Sequence, residues 1–343
     1  MTTRRQMARV GDRNVDTFVT EAGLDLDRRL ISWLDVDDVV EGDHRVTLAL
    51  ADGTSVELRA LGATHDQFLH ELRAARRALR FPALTMSTGA PVRSFLSRDP
   101  SGPVDVHVFT KVVVIEPRTG RPDAVPLSLI VDLRRDGHQL TLRCRGRTDV
   151  TVRALGARTD EFVDVLDRAV IDLQAATAAA YVALDPDLEG CTAPDGWAFT
   201  LHERPGAWST LVNLAARGER ADEVALLREL SGDDLALGVF TDGGTTAMPF
   251  ALAHVDDRIV VEAFVADDRA TFVFAHHDRE FLNAVLLLTA FRREVLSLPQ
   301  DQLGRWAVAV RTWPAVQWAR DALLSRIVHD DGWADHVRQV LGR

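Results

Sequence analysis

Val56-Glu-Leu-Arg-Ala-Leu-Gly-Ala-Thr-His-Asp-Gln-Phe68 and Val150-Thr-Val-Arg-Ala-Leu-Gly-Ala-Arg-Thr-Asp-Glu-Phe162 are two versions of one stretch. In each, an alternating strand runs into Arg-Ala-Leu-Gly-Ala, and an acidic residue then opens an amphipathic helix. The register extends upstream without a gap: Val39 matches Leu133, His44 matches His138, and Val46-Thr-Leu48 matches Leu140-Thr-Leu142. Self-similarity at a fixed period sets the domain count before any other reading. Phe68, Leu72, Ala75 and Leu79, and again Phe162, Leu166, Ala169 and Leu173, recur at helical spacing, so each helix is expected to lay one apolar stripe on a sheet. A fainter third copy covers Arg258 to Leu288, with Asp278 as the acidic cap and Phe281 leading the helix, but lacks the Leu-Gly signature.

At 343 residues the chain is too long for one comfortable core. The division expected is 1–84, 85–183 and 184–299 for three units, the last preceded by a helical insertion, and 300–343 for a helical tail. The apolar and charged shares, 46% and 27%, are those of a folded globular chain. A net charge of −11 opposes general attraction to nucleic acid or anionic lipid. Lys111 is the only lysine, a bias expected of a GC-rich bacterial coding background. Cys144 and Cys191 have no metal-like spacing and read as buried free thiols in a reducing, cytoplasmic compartment. The N-terminus has charges but no apolar run after them, so no signal peptide is expected.

Along the chain, strands are expected at Val15 to Gly23, Leu30 to Val40, Arg45 to Leu50 and Ser55 to Ala60, with Ala51-Asp-Gly53 a tight hairpin turn. Thr64 and Gln67 fit a capping box, and the first helix should end before Pro82. Leu84 to Pro103 reads as a linker, and Val104 to Glu116 as one or two buried strands. Strands at Leu127 to Leu133, Gln139 to Cys144 and Asp149 to Ala154 lead into a helix from Asp160 to Tyr181. Beyond the breakers at 185–196, Trp208 to Leu230 should be a helix interrupted near Gly218. Strands then follow at Leu235 to Thr241, Met248 to His254, Arg258 to Val265 and Thr271 to Ala275, before a helix from Asp278 to Leu298. The tail should be helical at Leu303 to Thr312, Pro314 to Val328 and Gly332 to Leu341.

A strand-rich unit whose last strand passes through a polar turn into one acidic-capped, Phe-led helix resembles the pleckstrin-homology-like superfold. The residues that carry this are Trp33-Leu-Asp-Val-Asp-Asp-Val39, the Ala51-Asp-Gly53 hairpin, Val56 to Gly62 and the helix from Asp66. The resemblance implies an α+β protein of tandem antiparallel sheet or barrel units, each closed by a C-terminal helix. Members of that family mostly bind phosphoinositides, peptides or proteins rather than catalyse.

The motifs of chemistry are sparse. Asp242-Gly243-Gly244 lacks the strand-to-helix setting of a phosphate loop and reads as a hairpin turn. His276-His277-Asp278, with His254, is the best metal-like grouping, yet adjacent strand residues face opposite ways and Asp278 is needed as a cap. His329-Asp330-Asp331 with His336 is a second metal-like grouping that reads rather as a polar turn between helices. No Gly-x-Ser-x-Gly elbow supports a nucleophile. No cofactor, metal or catalytic residue is therefore assigned.

Two groups are candidates for binding. Arg143, Arg145 and Arg153 share the outward face of one hairpin with Arg147 in its turn, a pattern that could grip an anion bidentately. Trp306, Trp313, Trp318 and Trp333, four of the seven tryptophans, either dock the tail on the third unit or anchor a partner. The expectation is a non-catalytic, cytoplasmic interaction scaffold of a larger bacterial assembly, binding a protein partner or itself, with no nucleic acid, no membrane span and peripheral lipid contact disfavoured. The alternatives are an anion or phosphoinositide-type binding module using the arginine hairpin, and a metal-dependent enzyme using the histidines.

Overall fold

The computed structural model of the protein describes residues 5–85, 90–100, 102–117, 120–217, 220–242, 246–264 and 269–343. Two compact units emerge: Met1–Phe109 with Val114–Ala124 and Pro299–Pro314, and Thr110–Val113 with Val125–Leu298 and Ala315–Arg343.

The first unit opens with seven strands: β1 (Arg5–Val10), β2 (Arg13–Val19), β3 (Gly23–Leu26), β4 (Arg29–Ser32), β5 (Val36–Gly42), β6 (Arg45–Leu50) and β7 (Ser55–Arg59). They form one antiparallel sheet in the order β4-β3-β2-β1-β7-β6-β5. The alternating pattern accounts for β2 and the β6–β7 hairpin, whose turn holds Gly53 at φ +81°. It missed β1 and β3 and merged β4 with β5, because Ser32 to Asp35 turns the chain. Helix α1 (His65–Thr85) buries Phe68, Leu72 and Ala75 against Trp33, Val46 and Leu58 of the sheet core. Contrary to expectation α1 continues through Pro82, which costs one backbone hydrogen bond, because Ala83 and Leu84 beyond it are buried. Just before it, the Thr64 hydroxyl donates back to the Leu61 carbonyl at 2.7 Å.

The supposed linker contains a strand. β8 (Arg93–Asp99) pairs with β9 (Gly102–Val108), and β10 (Val112–Pro117) and β11 (Asp123–Pro126) complete a four-stranded sheet in the order β11-β10-β9-β8. The chain then passes into β12 (Ile130–Asp136), β13 (Gln139–Cys144), β14 (Val150–Arg153) and α2 (Thr159–Leu184).

This second β-β-β-α segment reproduces β5-β6-β7-α1 in detail. β5 bulges between Val36 and Asp38, and β12 bulges between the matching Ile130 and Asp132. Ala60 and Ala154 both take left-handed backbone, at φ +59° and +50°, as do Gly62 and Gly156 at +56° and +61°. The shared Arg-Ala-Leu-Gly-Ala motif is therefore a double left-handed turn that swings strand into helix. A Cβ at Gly62 or Gly156 would meet nothing within 4 Å, so Gly62→Ala and Gly156→Ala should each destabilise by about 1 kcal/mol from backbone conformation alone. Urea midpoints that fail to fall in either variant would refute this account of the motif. In α2 the expected stripe, Phe162, Leu166, Ala169 and Leu173, is buried. Cys191 is buried as expected, whereas Cys144 at the end of β13 is only half-buried.

The rest of the second unit comprises α3 (Pro205–Arg217), α4 (Ala221–Ser231), β15 (Leu235–Asp242), β16 (Thr246–Val255), β17 (Arg258–Ala263), β18 (Ala270–Phe274) and α5 (Arg279–Leu288), then the single turn α6 (Glu294–Ser297). The interruption expected at Gly218, the turn glycines Gly243 and Gly244, and Val265 lie outside the described residues. Asp278 caps α5 by accepting from the Phe281 amide at 3.0 Å, as expected of an acidic cap. The helix is shorter than its apolar run, because Ala290 and Phe291 turn left-handed. That turn buries the Phe291 ring against Phe240 and Phe250, at 4.6 and 4.5 Å.

Residues 300–343 are not one helical tail. α7 (Ala307–Thr312) belongs to the first unit, whereas most of α8 (Pro314–Ala322), β19 (Leu323–Val328) and α9 (Trp333–Leu341) belong to the second. β19 pairs antiparallel with β18 at the edge of the sheet β15-β16-β17-β18-β19, so the helix expected to reach Val328 stops at Ala322. Among the described residues no helix is long and apolar enough to cross a membrane.

Candidate functional sites

In the first unit the outward stripe of α1, Asp66, His70, Arg73 and Arg77, walls a cavity of about 470 Å³ whose other sides come from β5, β9 and β10. Arg73 meets Glu41 at 3.4 Å, and the Arg77 fork spans two acids, Glu116 at 2.8 Å from Nε and Asp105 at 2.9 Å from Nη2. Beside Glu116 lies His107, 3% exposed, its Nε2 3.6 Å from the carboxylate and its Nδ1 2.8 Å from Ser94 Oγ. Burial alone would raise the Glu116 carboxyl; the adjoining imidazole and the guanidinium charges of Arg77 and Arg76 outweigh it and hold it below the usual glutamate range. Arg76 and Arg80 turn inward instead, and bind the Val36 and Asp37 carbonyls at the β5 bulge. The helical spacing of Arg73, Arg76, Arg77 and Arg80 alone reads as a solvent-exposed face or as one that meets acid from a neighbouring unit. Arg77 meets acids of its own unit, and Arg76 and Arg80 are buried on backbone carbonyls. Nothing local to α1 marks Asp105, His107 and Glu116 as its neighbours.

The arginine hairpin is less concerted than its alternation implied. Arg153 stands opposite Gln139 on β13, so it is about 13 Å along the strand from Arg143. Arg143 approaches Asp132 at 3.9 Å across β12. Arg145 lies over the Trp197 ring at 4.8 Å, and Arg147 reaches back to the Thr148 carbonyl at 3.4 Å. The four share a region and do not converge on one point.

The tryptophans also divide. Trp313 and Trp333 are buried, and Trp306 is half-buried with the Arg305 guanidinium over its ring at 4.2 Å. Trp318 on α8 is 67% exposed. It ends a row of rings on the second unit in which His277 lies 5.8 Å from His276, His276 stacks on Phe281 at 4.7 Å, and Phe281 lies 6.3 Å from Trp318. His276 Nδ1 accepts from the Asp278 amide at 3.0 Å, so these histidines serve the ring row and the start of α5. Among the described residues, the groups able to hold a metal are Glu41, His65, Asp66 and Asp105, His107, Glu116, and neither includes His276.

His329 is no part of a solvated turn, although Asp330 does make one with the Gly332 amide at 2.9 Å. Its ring enters the second unit between two buried carboxylates, Glu223 of α4 at 3.0 Å from Nδ1 and Glu262 of β17 at 3.2 Å from Nε2. Thr271 Oγ1 lies 2.9 Å from Nε2, which imitates a nucleophile, base and acid in line. Hydrogen-bond accounting refuses that role. The one hydroxyl proton of Thr271 goes to Glu262 at 2.6 Å, and its lone pairs face the Trp333 indole at 2.7 Å and the imidazole. Thr271 is also wholly buried, beyond reach of a substrate. Arg220, 3.1 Å from Glu223 and from His329 Nδ1, completes the cluster, and the whole is a structural network.

A second buried network centres on Lys111, whose ammonium donates to Asp195 Oδ2 at 2.9 Å, to Thr241 Oγ1 at 2.9 Å and to the Thr241 carbonyl. Asp195 in turn accepts from the Thr241 amide at 2.8 Å. The sequence marked Lys111 only as an oddity of composition. No family model matches the chain, and no curated protein matches it.

Proposed function

We propose that the chain is a non-catalytic interaction scaffold built from tandem pleckstrin-homology-like units, and that it engages a protein partner through Trp318. The architecture supports the first half of this reading: antiparallel strands followed by a helix that buries its Phe-led stripe occur twice, with bulges and left-handed turns in matching places. The observation that carries the second half is the exposed indole of Trp318 at the end of the row His277, His276, Phe281 and Trp318. Exposed aromatic rings held in place by neighbours lose little freedom on binding and dominate interface energetics.

The test compares the full chain with Trp318→Ala and with Leu96→Ala, a control at an exposed apolar residue of the first unit. A partner recovered from native host extract should bind Trp318→Ala about thirtyfold more weakly, the effect of a hot spot of about 2 kcal/mol. Leu96→Ala should bind as the parent does, and both variants should melt as the parent does. Equal binding by Trp318→Ala would overturn the assignment.

A further inference from the structure

We infer that Asp105, His107 and Glu116 form a binding site for one divalent transition-metal ion, zinc or manganese, and that the Arg77 guanidinium holds the place of that ion when it is absent. This stands independently of the scaffold reading. Each of the three side chains offers one ligand atom, and those atoms all lie within 4.8 Å of one another. An ion bound at about 2.0–2.2 Å places its ligands within about 4 Å of each other, so closing the set takes shifts of less than about 1 Å.

The histidine is prepared for that role. Ser94 Oγ engages Nδ1 at 2.8 Å, which orients the ring and leaves Nε2 on the carboxylate side, 3.6 Å from Glu116. Metal-bound imidazoles are characteristically oriented by such a partner on the other nitrogen. One imidazole with two carboxylates suits zinc or manganese better than calcium or magnesium, which favour all-oxygen sites.

Arg77 is the second observation. Its Nε and Nη2 take Glu116 and Asp105 at 2.8 and 2.9 Å, so a cation already occupies the point on which the acids converge. Arg77 is the guanidinium that bonds both carboxylates, and a divalent ion would take that place. Arg77 reaches the site from α1 on a flexible stem and borders the cavity of about 470 Å³, into which it can withdraw and through which an ion and its waters can enter. Glu41, His65 and Asp66, on the same unit, lack a buried member and serve as a comparison.

The experiment titrates the chelator-treated full chain with zinc chloride, and separately with manganese chloride, by calorimetry. One ion per chain should bind. Asp105→Asn and Glu116→Gln, nearly isosteric changes, should each weaken binding about 100-fold or more. Arg77→Met should tighten it about tenfold at unchanged stoichiometry, because the competing cation is gone. A merely structural role for the acids would not produce that gain. Glu41→Gln should leave binding unchanged, and circular dichroism should show every variant folded. The proposal fails if neither metal binds at about 1 mM. It fails equally if binding survives both carboxylate substitutions, or if Arg77→Met does not tighten it.

Discussion

Glu262→Ala is expected to lower the stability of the second unit by about 3–5 kcal/mol, the cost of removing one member of a buried ionic network. Glu262 is wholly buried, takes the Thr271 hydroxyl at 2.6 Å and stands 3.2 Å from His329. Its loss takes the carboxylate away from Nε2 and leaves the buried Thr271 hydroxyl without the acceptor it donates to. Glu262→Gln keeps an acceptor for Thr271 and should cost less, about 1–2 kcal/mol. Pairing Glu262→Gln with His329→Gln in a double-mutant cycle should return a coupling of about 1–3 kcal/mol. Urea denaturation followed by tryptophan fluorescence reads the effect, since Trp333 donates to Thr271 within the network. A loss below about 1 kcal/mol for Glu262→Ala would show that the network does not hold the unit together.

Lys111→Met should cost about 3 kcal/mol at neutral pH, toward the lower end for a broken buried pair because the lysine side chain is 28% exposed. The pH dependence supplies the sharper result. Burial pushes the Asp195 carboxyl above its ordinary range, and the Lys111 charge and hydrogen bond, with the Thr241 amide, draw it part of the way back. A group with a raised folded-state pKa contributes stability that is fully present below its unfolded pKa and lost as pH rises through the folded one. Removing Lys111 raises the carboxyl further. The penalty should therefore be smallest below the ordinary aspartate range, where the carboxyl is protonated in both proteins, and grow toward neutrality. Melting temperatures of parent and variant across that interval measure it. A difference that stays constant with pH would mean that the Lys111 to Asp195 charge interaction contributes nothing.

Both networks show why local reading stops where it does. Glu223, Glu262 and His329 come from a helix, a strand and a turn, and each is unremarkable among its sequence neighbours. His329 sits in a polar run and was assigned to solvent for that reason. Asp105 and His107 likewise alternate with valines, and Glu116 ends an apolar run, on strands that read simply as buried. The visible candidates show the complementary limit: alternation places Arg143 and Arg153 on one face, and only the cross-strand register gives their distance along it.

What the sequence by itself determined was the repeat and everything that depends on local geometry. Phe68, Leu72 and Ala75, and Phe162, Leu166 and Ala169, are buried because a helical period of 3.6 puts them on one side of any helix. The Arg-Ala-Leu-Gly-Ala turns adopt the same left-handed backbone twice because the same short residues recur. The tertiary structure alone decided the fate of segments with two local solutions. Leu323-Leu-Ser-Arg-Ile-Val328 spaces Leu323 and Ile327 for a helix, yet it is a strand, because the edge of β18 supplies the backbone partners that a helix would otherwise have to find within itself.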